Sequence, residues 1–173
     1  MKVWKRNAVV AAIVLFVCAA VYLNWTYQGQ ETADVGKTLG QAALVSDSNV
    51  WPLYGERVEE SLRQAGFQVS RFVFPAGEGS KNFSTLSDIL EFLAREHLTR
   101  SDCVAALGGG VVGDMAGFAA AVYLRGIRYV QLPTTVLSAV DSSVGGKTAI
   151  DLTAGKNLAG AFLQAAAVLC DTD

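Results

Sequence analysis

The stretch from Cys103 to Val122 constrains the fold more than any other. Cys103-Val104-Ala105-Ala106-Leu107 is short and apolar, and it runs directly into Gly108-Gly109-Gly110. Val112 to Val122 follows, rich in alanine and glycine. A buried strand, a glycine turn and a helix of small side chains form the unit from which parallel sheets with close-packed helices are built. The flanking chain repeats the alternation. Leu44 to Ser46 reads as the end of a strand. Trp51 to Ala65 carries Leu53, Val58 and Leu62 on one helical face, with Gly66 placed to end that helix. Phe67 to Phe74 alternates as a strand does. Ser84 to Glu96 repeats Leu86, Ile89, Leu90 and Leu93 at helical spacing, and Arg128 to Leu132 is a further strand. The expected fold class is α/β, a Rossmann-like parallel sheet with flanking helices, from about residue 44 onward.

The first part of the chain has a different character. Lys2, Lys5 and Arg6 precede an almost purely apolar run from Ala8 to Leu23, flanked by Trp4, Tyr22, Trp25 and Tyr27. A helix needs about 20 apolar residues to cross a bilayer, and aromatic residues favour its ends. The expectation is one transmembrane helix over roughly Trp4 to Tyr27, with the basic flank inside and the remainder outside. A cleavable signal peptide ending near Cys18-Ala19-Ala20 and a lipoprotein site at Leu15 to Cys18 are the alternatives, the latter disfavoured by the bulk of Phe16 and Val17. Gln28 to Lys37 is polar and reads as a linker. Residues 1–43 are therefore taken as membrane anchor and linker, and 44–173 as the α/β domain.

Net charge is -2, which excludes a broad basic surface for nucleic acid. Cys18, Cys103 and Cys170 are odd in number and far apart, so neither a disulfide framework nor a cysteine-based zinc site is expected. All three read as small core or lipid-facing residues, Cys103 and Cys170 in strand-like segments. The single histidine, His97, sits late in an amphipathic stretch and is expected to cap that helix or face solvent.

Four segments carry chemistry. Leu107 to Asp114, LGGGVVGD, places glycines at a strand-to-helix turn, where backbone N–H groups approach a phosphate and the helix N-terminus favours negative charge. A plain tight turn is the alternative. Pro133 to Thr148, PTTVLSAVDSSVGGKT, sets Thr134 and Thr135 at a strand end, where α/β ligand sites form. Its Gly146-Lys147-Thr148 is not a P-loop, because Asp141 stands where that motif needs glycine. Ala76 to Lys81, AGEGSK, offers Glu78 for hydroxyls and Lys81 for a phosphate or ion pair, with a simple turn as the blander reading. Gly155 to Phe162, GKNLAGAF, adds Lys156 and Asn157.

In this order and spacing, the segments resemble those of the 3-dehydroquinate synthase family over about residues 45–173. The matching stretches are DSNVWPLYGERV, FVFPAGEGSKNF, ALGGGVVGDMAGFAAAVYLRGI, QLPTTVLSAVDSSVGGKTAI, GKNLAGAF and DTD. The resemblance implies an NAD-dependent cyclisation of a seven-carbon phosphate sugar acid with loss of phosphate, in the shikimate pathway of aromatic amino acid biosynthesis. It implies a phosphorus-oxygen lyase, cytoplasmic and usually homodimeric, with a small-molecule phosphate substrate. On the cofactor side it implies Asp47 near the adenosine end, Glu78 and Lys81 on its ribose and neighbouring groups, and Gly109, Gly110, Val111 and Asp114 around the pyrophosphate. Thr134, Thr135 and Leu137 would line the nicotinamide side, joined by Asp141, Ser142, Lys147 and Lys156. Arg125, Asp141, Lys147 and Asn157 match positions that touch substrate. Another sugar-phosphate cyclase is a second reading.

The resemblance also carries departures. The family's zinc or cobalt ligands, one glutamate and two histidines, fall in a C-terminal helical domain with no counterpart in this sequence, so no metal site is expected and His97 cannot replace them. Leu163 and Ala165 replace the His and Pro common after GAF. The chain is thus expected to be an inactive fragment. Its first 45 residues resemble instead the stage III sporulation protein AH family, through MKVWKRNAVVAAIVLFVCAAVYLNW and GKTLGQAALVS. That implies a single-pass membrane protein of sporulation. A non-enzymatic anchored protein with an accidental tail is the reading from a different class, and a join between the two parents is expected near ALVSDSNV.

Overall fold

The computed structural model describes residues 39–171. The anchor helix expected over Trp4 to Tyr27, the linker, and the end of DTD lie outside the described residues. Among the described residues no helix is long and apolar enough to cross a membrane.

Five parallel strands form one sheet in the order β2-β1-β3-β4-β7. They are β1 (Gln41–Asp47), β2 (Gln68–Phe74), β3 (Cys103–Gly108), β4 (Arg128–Pro133) and the short β7 (Ala167–Val168). The interior strands are covered on both faces, which is why they read as continuous apolar runs. Ala42, Ala43, Leu44 and Val45 are fully buried, and every residue of β3 is buried. The strand β1 starts at Gln41, ahead of the boundary expected at residue 44. Its first residues fall in the stretch GKTLGQAALVS that resembles the sporulation family, and they pair with Gln68 and Cys103 neighbours in the sheet.

Helix α1 (Glu56–Gln64) continues from a wider turn at Trp51–Gly55 and ends at Gly66, whose φ of 95° is the left-handed value a helix terminator needs. Helix α2 (Phe83–Arg95) is capped by Asn82, whose side chain accepts from the Thr85 amide at 3.0 Å. Leu86, Ile89, Phe92 and Leu93 form its buried face. Helix α3 (Gly110–Val122) follows β3 at once, and Val112, Met115, Ala116, Phe118, Ala119 and Ala120 are all in the core.

One element was not anticipated. Lys147–Leu152 and Gly155–Phe162 form an antiparallel hairpin, β5 and β6, that packs on α3. One further expectation is corrected, that for Cys170, while His97 faces solvent, one of the two placements expected for it. Cys170 is exposed and lies beyond β7, so only Cys103 is a core cysteine among those described. His97 is exposed and follows α2 at a φ of 56°, where it faces solvent.

Candidate active site

The order of the strands decides where a ligand can bind. From β1 the chain passes to β2 on one side, then crosses back to β3 on the other. The loops leaving β1 and β3 therefore diverge, and a crevice opens outside their C-terminal ends. Ser46 pairs with Leu107, so Asp47 and Gly108 end their strands side by side at this point. Gly108 in turn pairs with Pro133, which brings Thr134 and Thr135 to the same edge. Asp47 pairs with Phe74, which delivers the loop of Glu78 and Lys81 there too. Motifs separated by up to a hundred residues meet because all four strands run parallel.

The centre of the crevice is the N-terminus of α3. Gly109 precedes it with no side-chain cap, so its first amides have no partner from a capping residue. A side chain at Gly110 would come within 2.9 Å of the Ser142 hydroxyl, so glycine keeps this turn open. Beside it, the Thr134 hydroxyl is buried and has no hydrogen-bond partner. An uncapped helix start, an open glycine turn and an orphan donor on one edge fit a phosphate-bearing group.

Asp47 closes β1 and shapes the turn that follows it. One oxygen of its carboxylate accepts from the amides of Asn49 and Val50, both at 2.9 Å, which shapes the turn leaving β1.

Lys81 is buried and ties three elements together. Its ammonium lies 2.5 Å from the Asp114 carboxylate on α3 and donates to the Asn157 side-chain oxygen on β6, also at 2.5 Å. Burial pushes the Asp114 carboxyl above its ordinary value, while the Lys81 hydrogen bond and charge pull it back, and Glu78 and Asp151 add to the rise. Farther out, Lys156 and Glu78 pair at 3.0 Å with both side chains well exposed. Glu78 raises the Lys156 ammonium through that hydrogen bond and its charge.

Asp114, Asp141, Ser142, Lys147, Thr148, Asn157 and Phe162 line a cavity of about 460 Å³ between α3 and the hairpin. Thr135 anchors its rim, since Thr135 and Ser138 share a hydroxyl–hydroxyl bond of 2.8 Å at the start of the helical turn Ser138–Ser142. Leu137 is largely exposed on that turn, with Val136 and Val140. The structure does not bring Arg125 to this cavity. It lies beyond the C-terminal end of α3, about 20 Å along a 13-residue helix from the glycine turn. Arg125 is exposed there and holds a φ of 67°.

One residue of this cluster went unremarked in the sequence. Asp151 accepts from the Asn157 amide at 2.8 Å, and its own amide donates to the Lys81 carbonyl at 2.9 Å. The signal was an aspartate four residues before a glycine, between two short strand-like runs. Among the described residues no group of three or more His, Cys, Asp or Glu side chains is arranged to hold a metal ion.

Residues 71–173 match the family profile described as 3-dehydroquinate synthase N-terminal. The chain is 50% identical over 144 residues to a 3-dehydroquinate synthase of Clostridium acetobutylicum, covering 80% of this chain and 40% of the relative. It is 58% identical over 132 residues to that of Citrifermentans bemidjiense, covering 76% and 36%. Its fold is similar to a 2-deoxy-scyllo-inosose synthase solved with carbaglucose-6-phosphate, NAD+ and Co2+, with a TM-score of 0.72 and 33% identity over 76% of this chain and 36% of that one. It is also similar to the 2-epi-5-epi-valiolone synthase of Streptomyces hygroscopicus with NAD+ and Zn2+ bound, at a TM-score of 0.71 and 25% identity, covering 81% and 44%. The chain spans about two fifths of the length of the curated relatives it matches.

Proposed function

The chain belongs to the 3-dehydroquinate synthase family, and on that premise we propose that its α/β domain is the NAD-binding half of a cyclase acting on a seven-carbon phosphate sugar acid. The observation that carries this reading is the convergence of four separate motifs on the switch point of the sheet, with the orphan Thr134 hydroxyl beside an uncapped helix start. The relatives solved with NAD+ and a sugar phosphate analogue support the same ligand classes.

On this reading the amides at Gly109, Gly110 and Val111 hold the pyrophosphate. Thr134, Thr135 and Leu137 flank the nicotinamide. NAD, when bound, supplies a reversible hydride acceptor for a substrate hydroxyl. The chain's own residues bind and orient. Lys147 offsets phosphate charge, and Asp141 and Asn157 offer hydrogen bonds to hydroxyls at the cavity wall. Asp114 reaches the cofactor side only as part of its pair with Lys81, so the wall it forms carries little net charge. Arg125 has no role in this chain's own cavity.

Two finer parts of the proposal rest on sequence alone. The residues ahead of β1 are a single membrane-crossing anchor and linker of sporulation-protein type, motivated by the basic flank and apolar run. The domain pairs with a second copy, as its family does. A membrane-fractionation test with alkaline wash checks the first, since recovery in the soluble fraction would overturn it.

The cofactor reading is tested by adding NAD+ to isotope-labelled protein and following amide signals. The expected shifts fall on Gly109 to Val111, Thr134 and Thr135. Binding is expected to be weak, because polar contacts on an open, water-exposed site are diminished. No shift at millimolar NAD+ would overturn the proposal. A low-micromolar dissociation constant would instead show that the half-site is already preorganised.

A further inference from the structure

We infer that Asp151 is a positioning residue of this site, whose carboxylate holds Asn157 in the backbone conformation from which the asparagine amide reaches Lys81. The inference rests on the proposed function for the claim that Asn157 faces a ligand, but its geometric part stands without it.

The hairpin is interrupted at this point. Ile150 pairs with Ala159 and Leu152 pairs with Gly155, so residue 151 alone on β5 faces residues 156–158 on β6. Such a bulge turns side chains away from the regular alternation, and it needs something to hold it. Asn157 sits at its centre with a φ of 56°, a left-handed value uncommon for any residue but glycine. The Asp151 carboxylate accepts the Asn157 amide at 2.8 Å, a hydrogen bond that reaches this turn from the opposite strand.

The contacts close into a ring. The Asp151 amide donates to the Lys81 carbonyl, and the Lys81 ammonium donates to the Asn157 side chain. The asparagine is thereby held at both its backbone and its amide oxygen. Its remaining side-chain N–H groups are the ones left to meet a ligand in the cavity. Asp151 itself does not line that cavity, so it acts through Asn157 and not on the ligand.

The required feature is an acceptor oxygen at the right reach, not a charge. Asp151→Asn keeps that oxygen. Asp151→Ala removes it. Asp151→Glu keeps the charge but moves the oxygen outward by one carbon. In the full chain, hydrogen exchange at the Asn157 amide is expected to rise about tenfold in D151A and D151E, the loss of one ordinary hydrogen bond, and to stay near wild type in D151N. The amides of Ala149 and Ile150 report in the same experiment that the hairpin is still formed. In parallel, NAD+ together with the seven-carbon phosphate sugar acid is added, and the Asn157 side-chain amide signal is followed. It is expected to move at the same concentrations in wild type and D151N, and at concentrations about tenfold higher in D151A and D151E.

Wild-type behaviour of D151A in both readouts would overturn the inference. So would a D151E that behaves like wild type, because the effect would then be one of charge. If no signal moves in any protein, wild type included, the proposed function fails while the exchange data still decide whether Asp151 holds Asn157.

Discussion

Replacing Lys81 with methionine should cost most of the local stability at neutral pH and little in acid. The side chain is buried, with its ammonium 2.5 Å from an Asp114 carboxylate that is itself only 19% exposed. Removing one partner of a buried ion pair costs about 3–5 kcal/mol, because the other charge is left without compensation. The partial exposure of Asp114 lets some water reach it, which puts the expected loss near the lower end, about 3 kcal/mol. The pH dependence follows from the direction in which Asp114 is displaced. Burial already raises its carboxyl above the ordinary value of 3.8, and Lys81 is the group that pulls it down. Without Lys81 the folded value rises further. A carboxyl raised in the folded state binds its proton more tightly there than in the unfolded chain. Its contribution to stability is therefore fully present below 3.8 and is lost as pH rises through the folded value. The variant should thus lie closest to wild type near pH 4 and fall away as the solution approaches neutrality. Urea unfolding followed by circular dichroism at acid and neutral pH measures this. With a slope of about 2 kcal/mol per molar, the neutral midpoint should drop by about 1.5 M. Adding Asp114→Asn should recover part of the loss. A neutral drop under about 0.5 M, or one equal at both pH values, would refute the reasoning that the pair is a buried and coupled one.

The other outcomes depend on how closely the elements approach. Gly160→Ala should destabilise the hairpin by about 1–3 kcal/mol, since its new Cβ would fall 2.0 Å from the Thr148 carbonyl, and the urea midpoint reads this directly. Gly110→Ala meets only the Ser142 hydroxyl, at 2.9 Å, which can rotate away. It should fold normally and lose the NAD+-induced shifts at the glycine turn, and unchanged shifts would argue against that turn as the pyrophosphate site. Lys156→Ala breaks an exposed pair and should leave the thermal midpoint where it is, so a clear drop in a melting experiment would mean the Glu78–Lys156 contact is stronger than exposed pairs usually are.

Much of this protein was legible before its structure. The buried strand β3 announced itself as an unbroken apolar run, because a strand covered on both faces has no polar side to show, whereas only the end of β1 was read, as Leu44 to Ser46. The glycine turn and the helix after it were legible for a local reason too, since a strand end, three glycines and small helical residues are contiguous. The helix stop at Gly66 belongs to the same class of signal. The membership of Asp114, Lys147 and Asn157 in one site came from the resemblance of whole motifs, and not from any pattern within each. What tertiary structure decided was everything that depends on distance along the chain. The hairpin was missed because β5 and β6 are short, interrupted by a bulge, and stabilised by packing on α3. Asp151 was missed for the same reason: its partner is six residues away on another strand, and its meaning depends on Lys81, seventy residues earlier. Lys81 read as a loop lysine offered to a phosphate or ion pair, but its burial against Asp114 and Asn157 depends on three elements converging over it. Arg125 follows the motif that supplies Gly110 and Asp114 by little more than a helix length, yet a helix carries it to the opposite end of the sheet. Local chemistry is written in neighbouring residues, whereas the direction in which a strand or helix delivers a side chain is settled only when the elements pack.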